Sequence, residues 1–333
     1  MRLIIVTDAW YPQINGVVRT LDTLRQGLEK RGHQVRLVTP DQFRTIPCPT
    51  YPEIRLALFP GRRVAARIEE FQPQAIHIAT EGPLGTAARR HCLKNGYPFT
   101  TAYHTRFPEY IHARVPLPLS WLYAVMKWFH GPSSAIMVAT QTIEDDLVSR
   151  GFRPPVRRWS RGVWTDLFKP RNKAFLDAPR PISLFTGRVA VEKNIEAFLK
   201  LDLPGTKYVV GDGPQLDVLK RKYPDVRFAG VKEGEELASY FAAADVFVFP
   251  SKTDTFGLVL LEAMASGVPV AAYPVPGPLD VVNRSGAGVL DDDLGRAVTQ
   301  ALSIPAEACR NHALKYSWDA SFDQFEGNLH VFR

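Results

Sequence analysis

Residues 250–269 read PSKTDTFGLVLLEAMASGVP, and this stretch decides the fold of its half of the chain. The apolar run Val246–Phe249 just before it predicts a buried strand, and the mainly apolar residues from Leu258 to Ser266 predict a helix. Between them lies a polar turn that ends in Gly257, where the missing side chain lets a ligand approach the backbone. A turn from a strand into a helix directs backbone N–H groups and the positive end of the helix dipole at an anion. The stretch therefore predicts a site for an anionic ligand.

The same stretch contains two carboxylates, Asp254 and Glu262. Glu262 lies about one turn into the predicted helix. Because helical side chains tilt toward the N-terminus, its carboxylate can lean toward a ligand at the turn. A carboxylate there repels phosphate but accepts hydrogen bonds from sugar or ribose hydroxyls. The alternative is structural, with Asp254 as a helix cap and Glu262 as a surface acid.

Strand-like and helix-like segments alternate along the rest of the chain, which is typical of doubly wound α/β domains. The strand-like segments are 2–8, 35–38, 75–79, 99–103, 135–139, 182–186, 208–210, 226–228, 246–249 and 268–272, and helix-like segments include 16–31, 82–94, 119–130 and 141–150. The pattern restarts after a stretch with three prolines, so we predict a first domain at 1–163, a linker at 164–181 and a second domain at 182–317. Ligands of open parallel sheets sit beyond the carboxyl ends of the strands, so we expect the chemistry in a cleft between two facing domains.

Two cations, Arg188 and Lys193, follow the first strand of the second predicted domain, in the segment TGRVAVEKN at 186–194. Two positive charges at a strand end suit a diphosphate, whose negative charge grows as it departs. The alternative is a local salt bridge with Glu192. The GDGP turn at 211–214 also follows a strand, and a purely structural turn explains it equally well.

In the first predicted domain, Gly16 opens the first helix and His104 ends the strand at 99–103. The segment YPQINGV at 11–17 is not a G-x-G-x-x-G motif and no phosphate-loop lysine follows it. The segment therefore argues against a dinucleotide dehydrogenase and against a P-loop enzyme. A histidine at a strand end beside a cleft fits a chemical role and a structural role about equally.

The 333 residues carry a formal net charge of +7, which is unevenly distributed. Residues 1–165 hold 22 Lys and Arg against 12 Asp and Glu, whereas residues 166–333 hold 19 against 22. A basic first half predicts an anionic membrane surface, a phosphate-bearing substrate or nucleic acid as a partner. The sequence contains no apolar run near the ~18 residues of a membrane span and no signal-peptide core at its start, so we predict a cytoplasmic protein.

Metal ligation has little support in the sequence. The three cysteines are too widely spaced to form a metal site. The one Asp-x-Asp motif, Asp291 to Asp293, lies at the start of a predicted helix, where capping explains it. We therefore expect no metal.

Taken together, the motifs resemble those of the retaining GT-B glycosyltransferases of family GT4, over essentially the whole chain. The resemblance rests on Arg188, Lys193, the GDGP turn and the segment DTFGLVLLE at 254–262. The motifs that fall where the family has its N-terminal ones are Asn15–Val17, His104–Thr105 and Ser160–Val163. The resemblance implies GT-B architecture, in which two Rossmann-like domains face each other across a cleft, with residues 318–333 packing back onto the first domain.

The resemblance also implies the reaction and the residues that serve it. A sugar passes from a UDP- or GDP-linked donor to an acceptor hydroxyl with its anomeric configuration retained, without a metal or other cofactor. Asp254 and His104 meet the donor sugar at the reaction centre, and Glu262 binds the nucleotide ribose. The other residues implied to hold the donor, by charge or through backbone amides, are Gly16, Arg188, Lys193, Phe256, Gly257 and Leu258.

The N-terminal motif is similar to that of the glycolipid-forming branch, so a membrane lipid or a lipid-linked glycan is the expected acceptor. Aromatic residues beside Lys127 in the segment 115–130 suit attachment at the inner face of an anionic membrane, as do the arginines at 62–67. A plain core helix at 119–130 is the alternative.

Two other functions stay open at this point. One is a nucleotide-sugar epimerase of the same two-domain architecture. The other is a nucleic-acid-binding protein that uses the basic half, with Tyr51 and Phe59 near Arg55 and Arg62. The sequence contains no recognised nucleic-acid module, and we do not expect nucleic acid as a partner.

Overall fold

The computed structural model describes residues 1–13, 15–48, 51–112, 115, 117–283 and 285–332, without the side chains of residues 51–53 and 110. The chain forms two compact units. The first comprises Met1–Ser160 together with the residues from Asp319 onward, and the second comprises Arg161–Trp318. Residues 164–181, for which the sequence predicts a linker, lie within the second unit, where Phe168 and Leu176 are buried.

The first unit contains a six-stranded parallel sheet and a separate two-stranded hairpin. The sheet strands are β1 (Arg2–Val6), β2 (Gln34–Val38), β5 (Ala75–Ile78), β6 (Thr100–Tyr103), β7 (Ala135–Val138) and β8 (Val156–Arg158), and the hairpin pairs β3 (Thr45–Cys48) with β4 (Tyr51–Ala57). The spatial order is β2-β1-β5-β6-β7-β8. Leu3 to Val6 in β1 are fully buried, as expected for a central strand of a sheet covered on both faces.

The helices of the first unit connect these parallel strands. They are α1 (Gly16–Lys30), α2 (Gly61–Phe71), α3 (Pro83–Asn95), α4 (Phe107–His112), α5 (Leu119–His130) and α6 (Gln141–Ser149). The sequence sets the start of α1 locally, because the Asn15 side chain accepts hydrogen bonds from the N–H groups of Val17 and Val18. Leu21, Leu24 and Leu28 share the buried face of this helix.

The second unit repeats the architecture with a different strand order. Its strands are β9 (Ile182–Thr186), β10 (Thr206–Val210), β11 (Arg227–Gly230), β12 (Val246–Phe249), β13 (Val270–Ala272) and β14 (Gly288–Leu290), arranged β11-β10-β9-β12-β13-β14 and all parallel. Its helices are α7 (Ile195–Leu199), α8 (Leu216–Lys222), α9 (Gly234–Ala243), α10 (Leu258–Ala265), α11 (Pro276–Val281), α12 (Leu294–Ala301) and α13 (Ala306–Ala313). Successive strands are added toward one edge of the sheet from β9 to β11 and toward the other edge from β12 to β14. Sheets of this kind bind ligands at the point where the order changes, which here lies between β9 and β12.

The cap predicted from the Asp-x-Asp motif is confirmed in this unit. The Asp293 side chain accepts a hydrogen bond from the N–H of Arg296 and so caps α12. Asp291 pairs with the Arg296 guanidinium at 2.6 Å. The motif is therefore explained by local structure.

The last helix, α14 (Trp318–Asn328), closes the first unit with an aromatic cluster. Phe325 is fully buried, and its ring centroid lies 4.8 Å from Trp159 and 5.0 Å from His77. The indole N–H of Trp159 donates to the Ser321 hydroxyl at 3.2 Å. The C-terminal residues thus complete the core on which β5 and the end of β8 rest. No helix within the described residues is long and apolar enough to cross a bilayer.

We predict that Phe325→Ala lowers the free energy of unfolding of the first unit by about 3–5 kcal/mol, because it removes a buried ring and leaves a cavity. Denaturant titration followed by tryptophan fluorescence measures this change. Phe59→Ala is the matched control, because Phe59 is 96% exposed and its ring contributes little burial. Equal stability of the two variants would contradict the packing role of Phe325.

Candidate functional site

The loops that follow β9 and β12 lie side by side in the second unit. The two strands pair in parallel, with Ser183 opposite Val246 and Leu184 opposite Phe247, so their carboxyl ends meet at one edge of the sheet. At this edge the Lys193 ammonium lies 2.5 Å from Oδ1 of Asp254. The topology therefore brings together two predicted site residues that lie 61 positions apart in the sequence.

Side chain to backbone hydrogen bonds hold the two loops together. Asn194 adopts a left-handed conformation (φ 51°), and its amide Nδ2 donates to the carbonyl of Pro250 at 3.1 Å. The Thr253 hydroxyl donates to the carbonyl of Glu192 at 3.2 Å. Sequence reasoning missed both residues. The available signal was the asparagine directly after Lys193, since asparagine tolerates the left-handed region better than most residues.

Asp254 has one carboxylate oxygen paired and one available. Oδ1 accepts from Lys193, while Oδ2 is buried and has no hydrogen-bond partner among the described residues. Asp254 does not cap α10, because the N-cap position is Gly257 and no side chain caps that helix end. The structural alternative of a helix cap is therefore wrong for this residue. A buried acceptor without a partner is costly, and a ligand hydroxyl would satisfy it.

The turn before α10 is shaped by two glycines. Gly257 has a φ of +85°, a conformation that L side chains rarely adopt. Gly277, in α11, lies so close that an added Cβ would be 2.8 Å from the carbonyl oxygen of Phe256 and 3.1 Å from that of Asp254. Phe256 itself is buried. The turn therefore packs against the first residues of α11, a contact that could not be anticipated from the sequence. Leu258 begins α10 directly after the turn.

Glu262 lies in the second turn of α10, and its side chain is buried. Its neighbours Leu261 and Ala263 are fully buried as well. The alternative of a surface acid is therefore wrong. The role of Glu262 in ligand binding stays a prediction.

Arg188 follows β9, within the same loop as Lys193. Its partial burial lowers the pKa of the guanidinium, and the Glu192 carboxylate 3.7 Å away opposes that shift. A partly desolvated cation gains more from an incoming anion than a fully hydrated one does. The predicted local pair with Glu192 exists, but at this distance it is an ion pair without a direct hydrogen bond.

The GDGP turn at 211–214 is hydrogen-bonded to the loop that carries Arg188 and Lys193. The Val189 N–H donates to the carbonyl of Asp212 at 2.9 Å, and the Gln215 N–H donates to the carbonyl of Val189 at 3.1 Å. These bonds fix the backbone between Arg188 and Lys193. The structural interpretation of the turn therefore accounts for its contacts.

Two predicted site residues belong to the first unit. Gly16 begins α1, and a Cβ added there would meet no atom within 4 Å, so its backbone is open to a ligand. His104 follows β6 and is half-buried, with its ring edge-on to Trp159 at 5.5 Å between centroids. The predicted residues that the second unit holds are Arg188, Lys193, Asp254, Phe256, Gly257, Leu258 and Glu262.

Sequence reasoning missed the buried carboxyl of Asp8, which follows β1. It accepts hydrogen bonds from the N–H groups of Leu84 and Gly85 at 2.8 and 3.2 Å and from the Thr80 hydroxyl at 2.9 Å. Burial raises the pKa of Asp8 to about 6, although these hydrogen bonds act in the opposite direction. Asp8 thereby ties the end of β1 to the first turn of α3.

The part of the chain that the structure describes contains no cluster of three or more His, Cys, Asp or Glu side chains that could hold a metal ion. The site built above consists of cations, a carboxylate pair and backbone amides. The expectation of metal-independent chemistry stays a prediction.

Solved structures share the fold of the whole chain. Sucrose-phosphate synthase from Thermosynechococcus elongatus superimposes with a TM-score of 0.77 at 22% identity, covering 98% of this chain and 97% of that one. HepE of Anabaena, solved in complex with UDP-glucose, gives a TM-score of 0.73 at 15% identity, covering 98% of both chains. The predicted fold class, two Rossmann-like α/β domains of GT-B type, is confirmed.

Family models define the chain more closely. The model described as Glycosyltransferase Family 4 matches residues 14–167, and the model described as Glycosyl transferases group 1 matches residues 180–304. The chain therefore belongs to glycosyltransferase family 4, and the predicted resemblance is confirmed.

Curated relatives span nearly the whole chain. A sulfoquinovosyl transferase from Arabidopsis thaliana is 28% identical over 93% of this chain and 69% of its own length. A GDP-mannose-dependent alpha-mannosyltransferase from Mycobacterium tuberculosis is 27% identical over 100% and 97%, respectively. An alpha-monoglucosyldiacylglycerol synthase from Streptococcus pneumoniae is 26% identical over 100% and 85%.

The raised pKa of Asp8 predicts a pH-dependent contribution to stability. As the pH rises from below 4 to above 6, the Asp8 carboxyl loses its proton at a lower pH in the unfolded chain than in the folded protein. Because the unfolded chain is the first to gain the ionised form, folding becomes less favourable over this range. We expect the stability of the wild type relative to Asp8→Asn to fall by about 3 kcal/mol over that range. Denaturant titrations of both proteins across the range measure it, and a pH-independent difference would contradict the burial of an ionisable Asp8.

Proposed function

We propose that the protein transfers a sugar from a nucleoside diphosphate donor, linked to UDP or GDP, to an acceptor hydroxyl with retention of the anomeric configuration. The observation that carries the proposal is the contact between Lys193 and Asp254 at the strand edge of a family 4 glycosyltransferase. It joins a cation suited to a diphosphate with a carboxylate suited to a sugar hydroxyl. Family membership favours transfer over the epimerase alternative.

The positive groups serve the departure of the diphosphate. The bond between the anomeric carbon and the diphosphate oxygen breaks, and negative charge builds up on that oxygen. The acceptor oxygen bonds to the anomeric carbon, and the proton of the acceptor hydroxyl passes to the departing diphosphate. Lys193, Arg188 and the amides at the start of α10 then stabilise the charge as it forms. Because these groups are fixed by the loops after β9 and β12, they need little reorganisation during the reaction.

The carboxylates serve the hydroxyl groups of the donor. Glu262 accepts hydrogen bonds from the ribose, and the available oxygen of Asp254 accepts one from the donor sugar. Binding of a diphosphate allows Lys193 to exchange its partner from carboxylate to phosphate. The roles predicted for Gly16, near the phosphates, and for His104, near the donor sugar, complete the proposal.

Two substitutions test the donor site. Lys193→Ala removes the cation and should reduce kcat/KM by roughly 100- to 1,000-fold, because each group that stabilises developing charge contributes on that scale. Glu262→Ala should weaken nucleotide binding and abolish turnover. Product formation from UDP- and GDP-linked sugars, with the anomeric configuration read by NMR, measures both.

Controls separate chemistry from folding. Lys200→Ala is matched to Lys193→Ala, because Lys200 is an exposed lysine just beyond α7. UDP or GDP at about 100 times its dissociation constant should stabilise the wild type by about 2.7 kcal/mol, which is visible as a shift in Tm. Full activity in Lys193→Ala, or no nucleotide-dependent shift in the wild type, would overturn the donor site.

We further propose a lipid or lipid-linked glycan acceptor at an anionic membrane surface. The names of two relatives, a sulfoquinovosyl transferase and an alpha-monoglucosyldiacylglycerol synthase, support a lipid acceptor. The outer face of α5 supports membrane contact, since Trp121, Val125 and Trp128 recur at helical spacing and are 52–68% exposed. The inner face of α5, with Tyr123 and Phe129, is core.

Cations border this aromatic stripe. The Arg89 guanidinium lies 4.1 Å from the ring centroid of Trp128 and donates to the carbonyls of Trp128 and Phe129. Lys127 is exposed on the same helix. Aromatic rings beside cations suit the headgroup region of an anionic bilayer. The basic charge of residues 1–165 supports the same attachment.

Liposome flotation tests the membrane proposal. The wild type should float with vesicles that contain phosphatidylglycerol, and much less with phosphatidylcholine alone or at high salt. The double variant Trp121→Ala, Trp128→Ala should remain at the bottom of the gradient, whereas the control Phe175→Ala, which alters an exposed ring of the second unit, should float. No flotation of the wild type would refute membrane attachment through α5.

A further inference from the structure

A second polar site lies in the first unit, at the carboxyl ends of β1 and β2. The segment 10–13 after β1, the segment 40–45 after β2, and Arg55 of the hairpin strand β4 enclose a cavity of about 210 Å³. Every lining residue belongs to the first unit. The donor site described above uses none of these residues.

Aromatic side chains form part of the wall of this cavity. Trp10 and Tyr11 contact each other edge to face with 5.4 Å between ring centroids, and Phe43 contributes a third ring. Tyr11 is about half exposed. Ring faces of this kind bind the C–H face of a saturated ring by dispersion and by exclusion of water.

Charged groups of both signs line the same cavity. Asp41 is exposed at its rim. Arg55 is oriented by two hydrogen bonds to Thr45, from Nε to the hydroxyl at 3.1 Å and from Nη2 to the carbonyl at 3.2 Å. The cavity therefore offers both hydrogen-bond acceptors and hydrogen-bond donors beside aromatic rings.

This combination selects one class of ligand. A phosphate would be repelled by Asp41, and an acyl chain would make no polar contact with Asp41 or Arg55. A hydroxyl-rich ring satisfies all of the groups, because its hydroxyls donate to the carboxylate and accept from the guanidinium while its C–H face packs on the aromatics. The cavity accommodates a group of about the size of one monosaccharide.

A hydrogen bond connects the cavity wall to the residue that caps α1. Gln13 is buried in its wall, and the Asn15 amide, which belongs to the residue that caps α1, donates to the Gln13 side chain at 3.0 Å. Gly16 follows immediately, with its backbone open. One hydrogen bond therefore joins the cavity wall to the residue that precedes Gly16.

We propose that this cavity binds a hydroxyl-rich ring, a sugar or a cyclic polyol, as the headgroup of the acceptor. Its assignment to the acceptor rests on the proposed function, whereas its capacity to bind a polyol rests on the cavity alone. Asp41 and Arg55 are the specificity-determining residues, and Trp10 supplies the stacking surface.

Saturation-transfer difference NMR tests the proposal, with methyl α-D-glucopyranoside, methyl α-D-mannopyranoside and myo-inositol as probes. We expect the wild type to transfer saturation to at least one of the three, and we expect Asp41→Ala and Trp10→Ala to lose that transfer. The matched controls Asp145→Ala and Trp121→Ala replace an exposed acid and an exposed indole of the same unit and should retain it. Melting curves of every variant verify folding.

A parallel measurement separates this proposal from the proposed function. Glu262→Ala should retain the saturation transfer, because the cavity is independent of the donor site. Loss of the signal in Glu262→Ala together with its survival in Asp41→Ala and Trp10→Ala would overturn the proposal, since the probe would then occupy the donor-sugar position. The absence of any signal in the wild type would also overturn it, even where UDP or GDP raises the Tm. A polyol signal without a shift from either nucleotide would instead support the cavity and count against the donor site.

Discussion

The parallel pairing of β9 with β12 is the constraint on which the proposed donor site depends. It aligns the carboxyl ends of two strands whose following loops carry Arg188, Lys193 and Asp254. Both strands are buried in the core of the second unit, where Phe185, Val246 and Val248 belong to one apolar cluster. The side chains on the opposite face, Leu184 and Phe247, are buried as well, as expected for central strands of a parallel sheet. The positions of the charged residues follow from an apolar core that they do not themselves stabilise.

The ion pair at this edge is suited to exchange. The side chains of Lys193 and Asp254 are only about one-fifth exposed, so either charge would be costly to leave without a partner. An incoming phosphate supplies Lys193 with a new partner as the carboxylate is released, and a sugar hydroxyl can do the same for Asp254. The hydrogen bonds from Asn194 and Thr253 hold the backbone in place while the side chains change partners.

Much of the fold could be predicted from the sequence because short apolar runs indicate the buried strands of a parallel sheet. The helix expected at 119–130 is Leu119–His130, and the one expected at 82–94 is Pro83–Asn95. The hairpin β3–β4 and the short strands β8 and β14 gave no such signal. Strand β8 has only three residues, two of them arginine, and its place in the sheet comes from pairing with β7. Pairing of that kind is a tertiary effect, which local propensity does not encode.

The residues of the candidate site also fall into those that could be predicted from the sequence and those that could not. Arg188, Lys193 and Asp254 could be selected because charged residues that follow strands are conspicuous in a sequence. Glu262 could be selected because it lies in an otherwise apolar predicted helix. Gly277 and Asp8 could not, since the importance of each depends on a residue far along the chain. The proximity of Gly277 to the carbonyl of Phe256 emerges only when α11 is placed against the turn. Asp8 looks like an ordinary acid after a strand until Thr80 and the amides of α3 enclose it.

The first unit combines two surface chemistries that a lipid-linked acceptor would require together. The cavity lined by Trp10, Asp41 and Arg55 is polar and aromatic, which suits a hydroxyl-rich headgroup. The outer face of α5 is apolar and bordered by cations, which suits an anionic bilayer. A soluble glycan needs only the first of these, and a plain lipid alcohol needs only the second. The presence of both in one unit therefore favours an amphiphilic acceptor whose ring remains in water while its chains stay in the membrane.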